Sequence, residues 1–86
     1  MKIIRTDSFK KDYQELPANI QKLFDNKIRL FMENTGHPSF RVKKMKAHKN
    51  RWEASLNIFY RFTFEIHKEH YLFRRIGPHD TVLRNP

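Results

Sequence analysis

The stretch that decides the fold is residues 52–66, which read WEASLNIFYRFTFEI. Apolar and polar side chains alternate here, first from Trp52 to Ile58 and again from Tyr60 to Ile66. A period of two places successive side chains on opposite faces of a β-strand. We therefore predict two strands joined by a short turn and paired antiparallel, each with one apolar and one polar face. Ser55, Asn57 and Arg61 fall on the polar face, which we expect to stay exposed to solvent.

The chain that follows predicts a third strand. Residues 68–70 form a turn and residues 71–76 a strand that a Gly-Pro pair ends. Apolar side chains fall on both faces of this strand, which is typical of a strand in the middle of a sheet. Parity places Arg75, rather than Arg74, on the polar face beside Arg61.

Residues 1–36 predict a strand followed by a helical hairpin. Met1–Arg5 is read as a short strand, and Asp7 can cap a helix that continues to about residue 16. Pro17 suits the first turn of a second helix, and Gly36 is its expected C-terminal cap. This second helix carries an apolar stripe: Ile20, Leu23, Phe24, Ile28 and Phe31. The fold class is α+β: an N-terminal strand, a helical hairpin and a three-stranded antiparallel meander, with the helices on one face of the sheet.

Length and composition exclude several classes of protein. Eighty-six residues suffice for one domain, spanning 1–86, with a thin core. The absence of cysteine excludes disulfides and thiolate catalysis. Apolar runs are only two or three residues long, so we expect no membrane span, no signal peptide and a cytoplasmic location.

Charge is the strongest compositional signal. Eighteen basic against nine acidic residues give a net charge of +9, and residues 37–86 hold eleven of the basic and only four of the acidic ones. This excess favours a polyanionic partner such as nucleic acid, an acidic protein or an anionic membrane surface. We define the basic segment as residues 41–51, which contain six basic residues and no acid: Arg41, Lys43, Lys44, Lys46, Lys49 and Arg51. These six are the predicted phosphate-binding residues, although a solvated loop would have the same composition.

Four sequence blocks occur in an order and at spacings that resemble the RelE/ParE family of toxin–antitoxin toxins. They read HPSFRVKKMK at 37–46, WEASL at 52–56, YRFTFEI at 60–66 and IGPHD at 76–80. Together they extend over most of the second half of the chain, and the predicted order of helices and strands also resembles that of the family. Within the family, the chain is most similar to small RelE-like mRNA interferases.

The resemblance implies an endoribonuclease that inhibits translation by cleaving mRNA, on the ribosome or free. In RelE-like chemistry the 2′-hydroxyl of the RNA is the nucleophile, and no metal or other cofactor takes part. The step needs a base for the 2′ proton, cations for the phosphorane oxygens and an acid for the 5′ oxygen. The implied partners are mRNA, the ribosome and a cognate antitoxin, which we expect to be acidic and to fold on binding. No membrane partner is expected.

Site residues follow from the matched blocks. Arg61 matches the arginine that the family places on the open sheet face, and His79 lies where many relatives have a catalytic arginine or histidine. Imidazole exchanges protons near neutral pH, so His79 is a candidate acid or base. Arg75 and Glu53 complete the candidate catalytic set, Glu53 as a base or as the partner of a nearby cation. Lys43, Lys44 and Lys46 match the basic block of the family, so the resemblance implies that the six residues of the basic segment bind RNA. One of the three lysines could serve as a phosphate clamp or base, but side chains alternate there, so one or two of the three must point away. His67 and His70 lie three residues apart across a turn and are read as a solvated pair, so no metal site is predicted.

Two differences from the family leave other functions open. Ser55 stands where many active relatives have a basic residue, and no aromatic residue follows Phe73 to replace their C-terminal tyrosine. One alternative is a catalytically weak or inactive homologue that binds RNA or the ribosome. Another is a ParE-like inhibitor of DNA gyrase.

Overall fold

The computed structural model describes all 86 residues, which form five strands and three helices. The elements in chain order are β1 (Lys2–Arg5), α1 (Asp7–Glu15), α2 (Ala18–Glu33), β2 (Lys43–Lys44), β3 (Trp52–Ser55), β4 (Tyr60–Ile66), β5 (His70–Pro78) and α3 (His79–Arg84). A single 3-10 turn, Pro38–Phe40, follows α2. None of the helices is long and apolar enough to cross a membrane.

All five strands belong to one mixed sheet with the order β1-β5-β4-β3-β2. The antiparallel meander β3-β4-β5 is present, which confirms the central prediction. The sheet is larger than predicted, because β1 adds in parallel to β5 and the two-residue β2 pairs with β3. The α+β class is confirmed, and the middle position of the third predicted strand is confirmed by its pairing on both sides.

The predicted helix caps are wrong in detail. Thr6, rather than Asp7, caps α1, since its hydroxyl accepts a hydrogen bond from the backbone N–H of Phe9 at 3.0 Å. Helix α2 ends at Glu33, and its cap is Asn34 with φ −151° and ψ 84°. Because the chain leaves this helix without a left-handed residue, Gly36 has no capping role.

Aromatic side chains fill the core between the helical hairpin and one face of the sheet. Phe31 of α2 is fully buried and lies at the centre. Its ring makes edge contacts at centroid distances of 5.3–5.7 Å with five other rings: Phe40, Phe62, Phe64, Tyr71 and Phe73. Edge-to-face packing of this kind stabilises a small core by more than the burial of apolar area alone would. The predicted apolar face of β4 is therefore the face that the hairpin covers.

The prediction that the opposite face stays exposed to solvent is wrong, because α3 covers part of it. Gly77 is in register with Arg61 and so faces away from the core, and a Cβ atom built on Gly77 would lie 3.4 Å from Val82 Cγ2 of α3. Val82, Ser55 and Thr63 are all buried on this side. Helix α3 was not predicted, and the helices therefore lie on both faces of the sheet.

The mixed faces of β5 have a local cause. Thr63 pairs with Arg75 and Phe64 pairs with Phe73, so Arg74 is an extra residue in β5. Such a bulge lets Phe73 and Ile76 face the same core although they are three residues apart. Arg75 keeps the parity that the sequence predicted.

Candidate active site

Arg61 is positioned by its strand and by the turn before it. It pairs with Ser55 on one side and with Gly77 on the other, which places it on the face opposite the core. Its Nη1 donates hydrogen bonds to the backbone carbonyls of Asn57 at 2.6 Å and Tyr60 at 3.1 Å. Nε and Nη2 donate to no protein atom, so two sides of the planar guanidinium can meet an anion.

Residues 56–59 form this turn and do not extend β3, contrary to the sequence prediction. The side-chain oxygen of Asn57 accepts hydrogen bonds from the backbone N–H groups of Phe59 and Tyr60, both at 2.9 Å. Asn57 therefore stabilises the turn that holds Arg61. It is not part of β3, although the alternation predicted it on the polar face of that strand.

Arg61 and His79 line the same open cleft, which we name the His79 cleft. Its volume is about 390 Å³, and its other lining residues are Ile58, Phe59, Pro78 and Asp80. The backbone N–H of His79 donates to the carbonyl of Phe59 at 2.8 Å, which ties the start of α3 to the β3–β4 turn. The imidazole is 46% exposed, and its Nδ1 lies 3.3 Å from Asp80 Oδ1. Nε2 has no protein partner and can exchange a proton with a bound molecule.

A second cleft adjoins the first and also contains Arg61; we name it the Arg41 cleft. It measures about 400 Å³, and Arg41 and Lys27 contribute two further cations to it. Arg41 follows the 3-10 turn with φ 46° and ψ 47°, the one non-glycine residue of the chain with positive φ. A left-handed arginine is strained, and such strain is concentrated at functional positions in proteins.

Sequence reasoning missed Lys27. Its Nζ donates to the carbonyl of Leu56 at 3.0 Å and lies 5.8 Å from the centre of the Phe40 ring. The available signal was its position, since Lys27 lies four residues before Phe31 and three after Phe24, in the buried stripe of α2. A cation on an apolar helix face indicates either a buried partner or a site.

The remaining lysines lie in a neighbouring cleft that we name the lysine cleft. Lys43, Lys44 and Lys46 line it together with Glu53 and with residues at the end of α3. Glu53 is buried, and its Oε1 lies 3.8 Å from Nζ of Lys43, whose side chain is 69% exposed. Glu53 is also a diagonal neighbour of Arg61, because Glu53 pairs with Thr63 and Ser55 pairs with Arg61. Diagonal pairs are within reach of long side chains. The structure thus places Lys43 on the same sheet face as Arg61 but in a separate cleft, whereas Lys44 pairs with Trp52 and so faces the opposite side of the sheet.

Two predicted site residues already have partners within the protein. Arg75 binds Asp12 of α1 through Nε at 2.6 Å and Nη2 at 3.1 Å, and this hydrogen-bonded contact raises the pKa of Arg75. Arg75 is absent from the linings of the His79, Arg41 and lysine clefts. Arg51 donates from Nη1 to the carbonyl of Pro86 at 2.6 Å, and burial followed by the charge of Arg74 lowers its pKa. Their predicted roles in catalysis and RNA binding stay predictions. Lys49 is exposed and lies on the surface beside Lys46.

Glu65 contacts three basic side chains near the C-terminal end of α3. Its carboxylate accepts hydrogen bonds from Arg74 Nη1 and from His67 Nε2, both at 2.8 Å, and lies 3.9 Å from Arg51 Nη2. Burial by itself would raise the pKa of Glu65, but the hydrogen bonds from His67 and Arg74 outweigh it and lower the pKa from 4.5. The rings of His67 and His70 are stacked with centroids 4.7 Å apart.

No model of a known protein family matches the sequence, and no curated protein matches it. Solved structures do match. The YoeB/ParE toxin from Agrobacterium tumefaciens has a TM-score of 0.76 at 18% identity, over 92% of this chain and 99% of that one. A RelB–RelE antitoxin–toxin complex from Methanococcus jannaschii gives 0.75 at 20% identity, over 96% and 99%. YafQ from E. coli gives 0.76 at 14% identity, over 93% and 94%.

These matches extend over nearly the full length of both proteins in each pair, so they compare whole folds and not a shared fragment. The identities are too low to transfer an activity or a partner, because one fold supports many functions. The resemblance found in the four sequence blocks is confirmed at the level of structure: this chain has the fold of the RelE/ParE toxins.

Proposed function

We propose that the protein is the toxin of a type II toxin–antitoxin system and an endoribonuclease that cleaves mRNA. The observation that carries the proposal is the sharing of one open cleft by Arg61 and His79, directly beside the Arg41 cleft. Three cations and an imidazole with a free nitrogen supply the cations and the acid that RNA transesterification needs, and Glu53 of the neighbouring lysine cleft is the candidate base. The likeness to solved toxins supports the same function.

In the proposed reaction the 2′-hydroxyl oxygen attacks the adjacent phosphorus, and the bond from phosphorus to the 5′ oxygen breaks. Arg61, through Nε and Nη2, stabilises the negative charge on the non-bridging oxygens, and Arg41 and Lys27 add to the positive field. Protonated His79 gives its proton to the departing 5′ oxygen. Glu53 is the candidate acceptor of the 2′ proton, and Lys43 is the cation nearest to its carboxylate. The products are a 2′,3′-cyclic phosphate and a 5′-hydroxyl.

We further propose that cleavage takes place on the ribosome and that an acidic antitoxin inhibits the protein. A site with so few reacting groups benefits from ribosomal RNA that orients the substrate, as the family resemblance implies. The net charge of +9 favours an acidic partner, and the likeness to the RelB–RelE antitoxin–toxin complex supports an antitoxin as that partner.

The test is induced expression without antitoxin, followed by mapping of mRNA 5′ ends. We expect cuts inside translated frames, and their loss in the double variant Arg61→Ala, His79→Ala. The matched control is Arg29→Ala, His70→Ala, which removes the same residue types outside both clefts. Folding of each variant is checked by thermal melting. Persistent cutting by the Arg61, His79 variant would refute the assigned site, and arrest with intact transcripts and damaged chromosomes would favour the gyrase alternative.

One observation favours a second candidate, the catalytically weak RNA-binding homologue. Nη1 of Arg61 is already engaged by the carbonyls of Asn57 and Tyr60, which leaves fewer donors for a transition state. This candidate predicts RNA or ribosome binding with no cuts in the same mapping experiment. Purified ribosomes programmed with a defined mRNA distinguish the two, since only the enzyme releases a fragment.

A further inference from the structure

Two large apolar side chains at the rim of the His79 cleft have no partner in the protein. In the β3–β4 turn, Ile58 is 77% exposed and Phe59 is 67% exposed, the two highest values among the large hydrophobic residues of the chain. Because the two side chains adjoin each other and charged residues border them, they form one exposed apolar patch of the kind that marks binding sites.

The turn that presents Phe59 is rigidly held. Asn57 accepts from the backbone N–H of Phe59 and of Tyr60, and the Phe59 carbonyl accepts from the N–H of His79 at 2.8 Å. Arg61 in turn donates to the Asn57 carbonyl. Because these hydrogen bonds already order the backbone, little conformational entropy is lost when a ligand binds to the ring.

The surroundings of the ring indicate the chemistry of the ligand. Arg61 and His79 line the same cleft as Phe59, and Lys27 and Arg41 lie in the adjoining one. An exposed aromatic ring next to a row of cations is the arrangement by which proteins hold single-stranded nucleic acid, with the base stacked and the phosphate paired.

We propose that Phe59 is a base-stacking platform: one nucleobase of a single-stranded RNA lies against its ring while the neighbouring phosphate binds Arg61. This inference rests on the proposed function for the identity of the ligand and adds the residue that fixes the register of the strand.

The experiment measures binding without cleavage. Fluorescence anisotropy is recorded with a short single-stranded RNA that carries 2′-O-methyl groups throughout, so that no 2′ nucleophile is present. Loss of one stacked base weakens binding by about 5- to 150-fold. We expect that loss for both Phe59→Ala and Phe59→Leu, and retained affinity for Phe59→Trp. Ile4→Ala, which removes another exposed apolar side chain on β1, is the control and leaves affinity unchanged.

A series of oligonucleotides with one abasic residue moved along the strand identifies the base. At one position the abasic residue weakens binding to the wild type but not to Phe59→Ala, because the contact is already missing there. Wild-type affinity for Phe59→Leu, or abasic effects that are the same in both proteins, would overturn the inference.

The outcomes separate this inference from the proposed function. The stacking role alone is overturned if RNA binding and mRNA cuts persist but no abasic position affects the wild type and Phe59→Ala differently. Failure of the wild type to bind the oligonucleotide while mRNA cuts are still mapped also overturns the stacking role alone, whereas absence of both binding and mRNA cuts overturns both. Phe59 variants that keep RNA affinity but lose affinity for the antitoxin would assign the ring to a protein partner and would also overturn the stacking role.

Discussion

The lysines of the basic segment should determine how strongly RNA binding depends on salt. We consider the triple variant Lys43→Ala, Lys44→Ala, Lys46→Ala. All three are exposed residues that line the lysine cleft, so removal of their side chains should not disturb the core. Each phosphate contact on a single strand contributes about 0.7 to the slope of log K against log salt.

The structure sets the size of the effect. Lys44 and Lys46 have no carboxylate partner, whereas Lys43 lies 3.8 Å from Glu53. If Lys43 stays with Glu53, two contacts are lost and the slope falls by about 1.4; if all three bind phosphate, it falls by about 2.1. Between 50 and 200 mM salt, the wild type should therefore lose about 7- to 18-fold more affinity than the variant.

The assay is anisotropy with a single-stranded RNA across that salt range. The control variant is Lys10→Ala, Lys11→Ala, Lys22→Ala, which lowers the net charge by the same three units on α1 and α2, outside the three clefts. Its slope should be close to that of the wild type. Equal slopes for the wild type and the basic-segment variant, or equal decreases in both variants, would refute a localised phosphate-binding surface.

Three further predictions concern stability, and one of them also concerns RNA binding. Arg41→Gly should be more stable than Arg41→Ala by roughly 0.5–1 kcal/mol, because glycine tolerates the left-handed backbone and the higher entropy of glycine in the unfolded chain cancels only part of this gain. Both variants should bind RNA more weakly than the wild type in the anisotropy assay. Thr63→Val should raise the free energy of unfolding in urea by about 1 kcal/mol, because the hydroxyl of Thr63 is buried without a protein partner. The folded-state pKa of Glu65 is lowered from 4.5, so the hydrogen bonds that its carboxylate accepts from Arg74 and His67 should contribute about 1 kcal/mol to the free energy of unfolding above pH 4.5. This contribution is lost as the pH falls through the folded-state pKa. The difference in melting temperature between the wild type and Glu65→Gln should therefore shrink from pH 6 to pH 3.

Each of these has a clear contrary result. Equal stability of the two Arg41 variants would mean that the backbone is not strained at this residue. A destabilised Thr63→Val would mean that the hydroxyl has a partner in solution. A difference for Glu65→Gln that persists at pH 3 would assign the stability of this region to packing of α3.

The sequence was sufficient to predict the meander, the helical hairpin and the location of the positive charge. Alternation in residues 52–66 and the apolar stripe of α2 are local patterns, because an amphipathic segment must place its apolar side chains on one face wherever it packs. The same parity correctly placed Arg61 and Arg75 on the face opposite the core.

Only the tertiary structure determined what covers that face and which cations meet there. Helix α3 has a weak apolar pattern, and its position depends on Val82 against Gly77 and on Arg51 and Arg74 reaching the carbonyl of Pro86. Contacts such as these join residues distant in sequence, and no local period encodes them.

The candidate site has the same division. Parity and resemblance predicted Arg61 and His79 as site residues, but only the structure shows that Lys27 enters the Arg41 cleft from α2 and that Asp12 holds Arg75 across 63 residues of chain. The sequence by itself therefore determined which faces exist and which charges they carry. The packing of distant elements decided which of those charges are paired and which face the clefts, because side-chain partners depend on distances in the folded chain and not along it.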